Sequence, residues 1–161
     1  MGHSERLHDV GTIAIRHASQ SDLCELLSLY EELAGEKHSA APGDRMSSET
    51  LLAEILADRR RTLMVAVLDG RLVGTADLLI VPNLTHHGKP WAIVENVIVS
   101  HTSRRTGIGR ALMEKLIETA HRAGCCKLQL LSGRHRGKAH AFYRSMGLES
   151  VAEGFKVYFD E

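Results

Sequence analysis

The stretch VIVSHTSRRTGIGRAL, Val97–Leu112, decides how this chain reads. It passes from an apolar segment through a short polar loop with two arginines into Gly107-Ile108-Gly109, which opens a long helical pattern. A Gly-x-Gly pair alone carries little, because at about 7% glycine per position roughly one is expected by chance in a chain of this size. Its position carries more. A helix start leaves its first backbone N–H groups without partners and bears partial positive charge, so it suits a phosphate. Gly107 and Gly109 let the backbone approach a ligand with no Cβ in the way, and Arg104 and Arg105 can add charge-assisted contacts. The same residues also suit a tightly packed helix start with two solvated arginines. The pattern is not a dinucleotide fingerprint, since GxGxxG is absent, nor a Walker A loop, since no Gly-Lys-Ser/Thr follows.

Upstream of this stretch, the run Trp91 to Val99 is largely apolar in both alternation phases, which predicts a central strand covered on both faces. Before it, 63–68 and 71–74 flank Asp69-Gly70, a strong two-residue hairpin signal, and the second arm continues through Ala76 to Val81 and stops at Pro82. Nearer the N-terminus, residues 12–16 read as a strand. A helix follows, with Ser19 or Ser21 as cap and Leu23, Leu26, Leu27, Tyr30 and Leu33 at helical spacing. Gly35 to Arg45 is polar and loop-like, and a second helix is predicted over 48–59 with Leu51, Leu52, Ile55 and Leu56 buried.

Downstream, Gly107 to Ala123 is an amphipathic helix with Ile108, Ala111, Leu112, Leu116, Ala120 and Ala123 as its apolar stripe and Gly124 as its stop. A strand is predicted over 126–131. A helix carrying Ala139, Phe142, Tyr143 and Met146 ends at Gly147, and strands at 148–151 and 155–159 close the chain around Gly154. The expected order is β-α-α-β-β-β-α-β-α-β-β, an α/β domain over 12–161 behind a loosely held, polar N-terminus at 1–11.

Composition narrows the function. The 161 residues carry 20 basic and 20 acidic side chains, 43% hydrophobic residues and 4% aromatics, the balance of a globular domain. With zero formal net charge and few aromatics, the chain lacks the footprint of a nucleic-acid binder. No apolar run approaches the roughly 18 residues that a membrane span needs, and no signal-peptide core is present at the N-terminus, so a cytoplasmic protein without membrane partners is expected. The three cysteines form no CxxC, and the ten histidines are scattered, so no metal is expected. Cys125 and Cys126 read as small packing residues.

On these residues the chain resembles the GNAT acetyltransferase superfamily. Arg104, Gly107 and Gly109 match its Arg/Gln-x-x-Gly-x-Gly/Ala signature. Ile15-Arg16-His17-Ala18 with Asp22 looks like its opening strand and first helix, and AHAFYRSMGL, Ala139–Leu148, is similar to its late helix motif, with Leu148 replacing the usual Phe. The resemblance implies a mixed, mostly antiparallel sheet of about seven strands, splayed in the middle and flanked by about four helices. It implies acetyl-CoA as cosubstrate, with its pyrophosphate on the backbone of Arg105, Thr106, Gly107, Ile108, Gly109 and Arg110. The strand edge at Val97, Ile98 and Val99 would pair with the pantetheine arm, beside a slot opened by divergence from the strand at Lys127 to Leu131. Many members carry Asn where this chain has Arg136; Arg134, Arg136 and Lys138 suit coenzyme phosphates or form a solvated basic loop.

Amide formation needs an unprotonated amine and a proton for the departing thiolate. With a pKa near 10.4, only on the order of one lysine-like amine in a thousand is neutral at pH 7, so a base helps. Glu95 is the candidate base: it is the only acidic residue in 91–99, and alternation puts it on the same face as Val97. Burial among apolar neighbours would raise its pKa, whereas a structural carboxylate would pair with an arginine or a helix N–H. Tyr143 is, by the resemblance, the acid near the coenzyme sulfur; otherwise it is one more aromatic on a buried helix face. A covalent role for Cys125 or Cys126 is not expected, because the family transfers directly in a ternary complex.

The run Gly124–Leu130 with the Phe-Tyr helix is similar to glucosamine-6-phosphate N-acetyltransferases. His86-His87 and the run Ala139–Tyr143 are similar to aminoalkylphosphonate N-acetyltransferases. Together they imply a small amine bearing an anion, with His86, His87 and Lys89 near the mouth of its site. A protein or peptide N-acetyltransferase and a non-catalytic acyl-CoA sensor are the alternatives. A homodimer is expected, with the two final strands at its interface.

Overall fold

The computed structural model describes residues 12–34 and 45–159, so the expectations for 1–11 and for the loop at 35–44 lie outside the described residues. One sheet runs in chain order: β1 (Ile13–His17), β2 (Arg61–Leu68), β3 (Arg71–Val81), β4 (Trp91–Val99) and β5 (Leu128–Leu130). The pairs from β1 to β4 are antiparallel, and β5 joins β4 in parallel. The helices are α1 (Leu23–Ala34), α2 (Arg45–Ala57), α3 (Ile108–Arg122) and α4 (Gly137–Ser145). The hairpin between β2 and β3 turns at Asp69 and Gly70, whose φ of 50° and 77° are what a tight turn between right-twisted strands demands.

Alternation sends side chains to two cores. Met64, Ala66, Ala76, Leu78, Ala92 and Val94 face α3, which returns Ile108, Leu112, Met113, Leu116 and Ala120. On the other face Leu63, Val65, Leu72 and Ile98 pack against Leu23, Leu26 and Leu29 of α1 and Leu52 of α2. Some details differ from the expected stripes. Of the four α2 residues expected to be buried, Leu52 and Ile55 join the core, while Leu51 and Leu56 are exposed. In α3, Met113 is buried and Ala123 is exposed.

Two larger corrections bear on function. The first concerns β4, expected to be covered on both faces throughout. A bulge interrupts its register against β3 between Thr75 and Asp77, and Asn96 takes a left-handed φ of 54° to absorb it. Ala92 and Val94 face the α3 core before the bulge, Val97 and Val99 face it after, and Ile98 turns to the α1 side. Glu95 and Asn96, at the break, are exposed.

The second correction concerns strand number: the sheet has five strands among the described residues, not about seven. Residues 148–151 and 155–159 form no strands. A strand needs a ladder partner, and here only the three residues of β5 stand at that edge. Val151, Phe155, Val157, Tyr158 and Phe159 are 73–87% exposed instead. No helix among the described residues is long and apolar enough to cross a membrane.

The β1–α1 connection is fixed by one ion pair. Arg16 donates from both terminal nitrogens to Asp22, at 2.7 and 2.8 Å, and Asp22 also accepts from the Ser19 N–H at 2.7 Å. The Arg16 hydrogen bond holds the Asp22 carboxyl down at about 2, from an ordinary 3.8. A depressed carboxyl stabilises the fold above its unfolded value and loses that contribution as pH falls through its folded value. Asp22→Asn should therefore cost about 1–2 kcal/mol at pH 7, a modest sum because Arg16 keeps much of its side chain in water. Denaturant titrations of both proteins should show that gap closing as pH falls from 3.8 toward 2.

Candidate active site

The decisive loop lies between β4 and α3. Gly107 caps α3 in the left-handed region, with φ 88°, and the first helical hydrogen bond runs from Ala111 N–H to Gly107 O at 3.0 Å. The amides of Ile108, Gly109 and Arg110 precede that bond and lie at the positive end of the helix. Arg105, two residues before Gly107, is also left-handed at φ 65°; left-handed residues that alternate with others in a turn make an amide concavity suited to an anion. A Cβ at Gly107 would meet nothing within 4 Å, so space is open there. Gly109 matters for packing instead. A Cβ there would touch Phe142 and Val99, each at 3.6 Å, so this glycine is where α4 seats against α3.

The arginines divide. Arg104 donates from Nε to Val99 O at 3.0 Å and from Nη2 to Glu32 Oε1 at 2.9 Å, so its guanidinium ties the loop to α1. Glu32 also accepts from the His101 N–H at 2.7 Å and thus holds both ends of the loop. Thr106 closes the turn, its hydroxyl donating to Ser103 O at 2.6 Å. Arg105 is exposed, and Arg110 reaches Ser145 at 3.3 Å. Arg136 caps α4, and both it and Lys138 are exposed. Neither Glu32 nor its bonds were legible in the sequence, where one glutamate on a polar helix face looks like any other.

Strand β4 pairs with β5 only from Ala92 to Val94. From Glu95 to Val99 it keeps β3 on one side and has no strand on the other among the described residues, so the edge containing Val97, Ile98 and Val99 is open there. This is the expected divergence, and it begins at the bulge. Tyr143 of α4, half-buried, packs against the α3-side core with Phe142, ring centroids 5.4 Å apart. Burial pushes its phenol up from 10.0; the positive charge of Arg136 opposes the rise and the negative charge of Glu95 adds to it. Tyr143, Arg136 and Glu95 therefore lie within electrostatic reach of one another around the point of divergence.

Glu95 is not where alternation put it. It is exposed, and the bulge sends it to the opposite face from Val97. Its cross-strand neighbour is Asp77, a fully buried carboxylate. The one hint in the sequence was Glu95-Asn96 itself, two polar residues in a row where an alternating strand allows one, with Asn tolerant of φ above zero. His86 and His87 are exposed in a left-handed turn, φ 50° and 59°, before β4. Among the described residues no group of three His, Cys, Asp or Glu is placed to hold a metal ion.

Comparison with known proteins matches this architecture. The family model for "Acetyltransferase (GNAT) family" matches residues 22–148. The chain is 33% identical over 147 residues to a glucosamine 6-phosphate N-acetyltransferase of Trypanosoma brucei brucei, covering 88% of this chain and 92% of that one. Among solved structures, a putative acetyltransferase from Agrobacterium tumefaciens str. C58 is 39% identical with a TM-score of 0.84, covering 91% of this chain and 99% of that one. A protein from Bacillus halodurans C-125 described as a transcriptional regulator is 28% identical, also with a TM-score of 0.84, covering 92% of this chain and all of that one.

Proposed function

The chain belongs to the GNAT acetyltransferase family, and from that premise we propose that it moves an acetyl group from acetyl-CoA to a primary amine of a small molecule by direct attack in a ternary complex. The observation that carries the proposal is the run of open backbone groups from the β4 edge at Val97–Val99 to the first-turn amides of α3. Residues 105–110 fit a diphosphate: amides ahead of the first helical bond, a left-handed turn and open space at Gly107. The edge of β4 fits an extended arm that pairs as a strand does. Acetyl-CoA supplies an activated carbonyl with a thiolate leaving group.

The chain's own residues then divide the proton transfers. Glu95, exposed where β4 leaves β5, takes a proton from the amine directly or through a water. The neutral amine nitrogen bonds to the carbonyl carbon, the carbon–sulfur bond breaks, the Tyr143 hydroxyl delivers a proton to the thiolate, and the second proton shed by the new amide nitrogen restores that hydroxyl through water. Tyr143 is protonated at neutral pH, because its phenol lies above 10.0. The Trypanosoma relative acts, by its name, on glucosamine 6-phosphate; with the similar Gly124–Leu130 run, it supports an amino sugar phosphate over an aminophosphonate as acceptor.

We also infer a homodimer. The described chain after Ala120 contains no buried residue, and the far side of β5 carries no strand. A second copy of the exposed 151–159 segment is a covering of matching chemistry. Light scattering should give twice the chain mass, and Phe155→Asp with Phe159→Asp should return it to a monomer; a monomeric wild type at micromolar concentration would remove the inference.

A free-thiol assay across phosphorylated amino sugars, aminophosphonates and simple amines tests the function. Tyr143→Phe should lower kcat about 100-fold with acetyl-CoA affinity unchanged. Glu95→Gln should lower it comparably near pH 7, and the deficit should shrink as pH rises toward an amine pKa of about 10.4. A sensor would release no thiol with any amine and would not respond to Tyr143→Phe.

A further inference from the structure

Arg105 is strained where Gly107 is not. Its left-handed φ of 65° presses Cβ against its own backbone, a cost that glycine escapes. A residue with a side chain keeps that conformation only where its neighbours over-determine it. On the C-terminal side Thr106 does so, its hydroxyl donating to Ser103 O at 2.6 Å. On the N-terminal side stands Arg104, and Glu32 holds Arg104 from outside the loop.

Glu32 makes that link largely through one oxygen. Its Oε1 accepts from the His101 N–H at 2.7 Å and from Arg104 Nη2 at 2.9 Å, while Oε2 lies 3.4 Å from His101 Nδ1. Among the described residues, the other hydrogen bonds of 101–106 close within the loop or return to Val99 and Ser100. Helix α1 itself gains nothing from a carboxylate there. Glu31 and Glu32 stand near its C-terminus with no basic residue in the last turn, where the helix end is already negative. The helix is also fixed in place. Two turns before Glu32, Glu25 accepts from the Leu72 N–H of β3 at 2.9 Å, and Leu26 and Leu29 between them are buried. Glu32 is therefore a fixed point against which the loop is set.

We propose that Glu32 is a positioning residue for the donor: through Arg104 it holds Arg105 left-handed, and so shapes the amides of 105–110 to a diphosphate. Its effect falls on the diphosphate end of the donor and not on the acetyl group, which by the same reading lies where β4 and β5 diverge. This rests on the acetyltransferase reading and adds to it a source of donor selectivity. Part of the preference for acetyl-CoA over the same acetyl group on pantetheine, which carries no diphosphate, comes from a carboxylate on α1.

The experiment measures kcat/KM with two thioesters, acetyl-CoA and S-acetylpantetheine, on an amine that the wild type acetylates. Glu32→Ala should lower the value for acetyl-CoA about 10-fold, through KM with kcat unchanged, and leave that for S-acetylpantetheine within about 2-fold. Glu32→Gln keeps an oxygen for both His101 and Arg104, so it should recover most of the loss. Where Glu32→Ala does not melt cooperatively, Glu32→Met retains the packing of the methylenes and takes its place. The thioester ratio is taken within one protein, so a reduced folded fraction cancels. A ratio unchanged from the wild type, or a Glu32→Gln protein as impaired as Glu32→Ala, overturns the positioning role and leaves the acetyltransferase reading standing. If the wild type acetylates no amine, that reading falls, and the calorimetric Kd for acetyl-CoA decides the role of Glu32. A weaker Kd in Glu32→Ala that Glu32→Gln restores upholds it; an unchanged Kd, or no binding by the wild type, overturns it.

Discussion

Backbone groups need partners, and two runs of them lie open on either side of the loop between β4 and α3 among the described residues. Strand β4 has two neighbours as far as Val94 and one thereafter, and α3 begins with three amides ahead of its first hydrogen bond. Both openings lie on consecutive sequence, joined by a loop that Glu32, Arg104 and Thr106 hold shut on itself. The parallel β5 must stop at Leu130 for the first opening to exist, and left-handed Gly107 must turn the chain for the second. A ligand that is extended at one end and carries diphosphate at the other is what such a line can hold.

The bulge at Asn96 links the two faces of the sheet. By reversing the phase of β4 it turns Glu95 away from the α3 side, where Val97 packs, and toward the row of Asp77 and Leu63. In the proposed reaction the cosubstrate lies along the open edge and the acceptor comes from the α1 side, so the amine meets the carbonyl where the strand itself changes phase. Tyr143, carried by α4 and seated through Phe142 on Gly109, reaches the same place from the other direction.

Much of this was legible in the sequence because it rests on local rules. Asp69-Gly70 specifies its own turn, the apolar stripe of 107–123 specifies its own helix, and Arg-x-x-Gly-x-Gly between strand and helix marks the loop. What escaped depends on partners far along the chain. Glu95 was placed on the wrong face because alternation presumes an unbroken ladder, and the break is created jointly with β3. Arg61 and Asp77, sixteen residues apart, meet only when the hairpin has closed. Strands were expected at 148–151 and 155–159 and do not form, because a strand is made by its neighbour and none stands beyond β5 among the described residues. That Glu32 engages Arg104 was equally invisible, since the two lie 72 residues apart.

The most direct test of the account is calorimetric titration of the protein with acetyl-CoA, repeated with Gly107 changed to a bulkier residue. Saturable one-site binding by the natural chain, lost in the altered one while its thermal melt persists, is the result the account predicts. No saturation by the natural chain at millimolar ligand, or equal binding by both proteins, would contradict it.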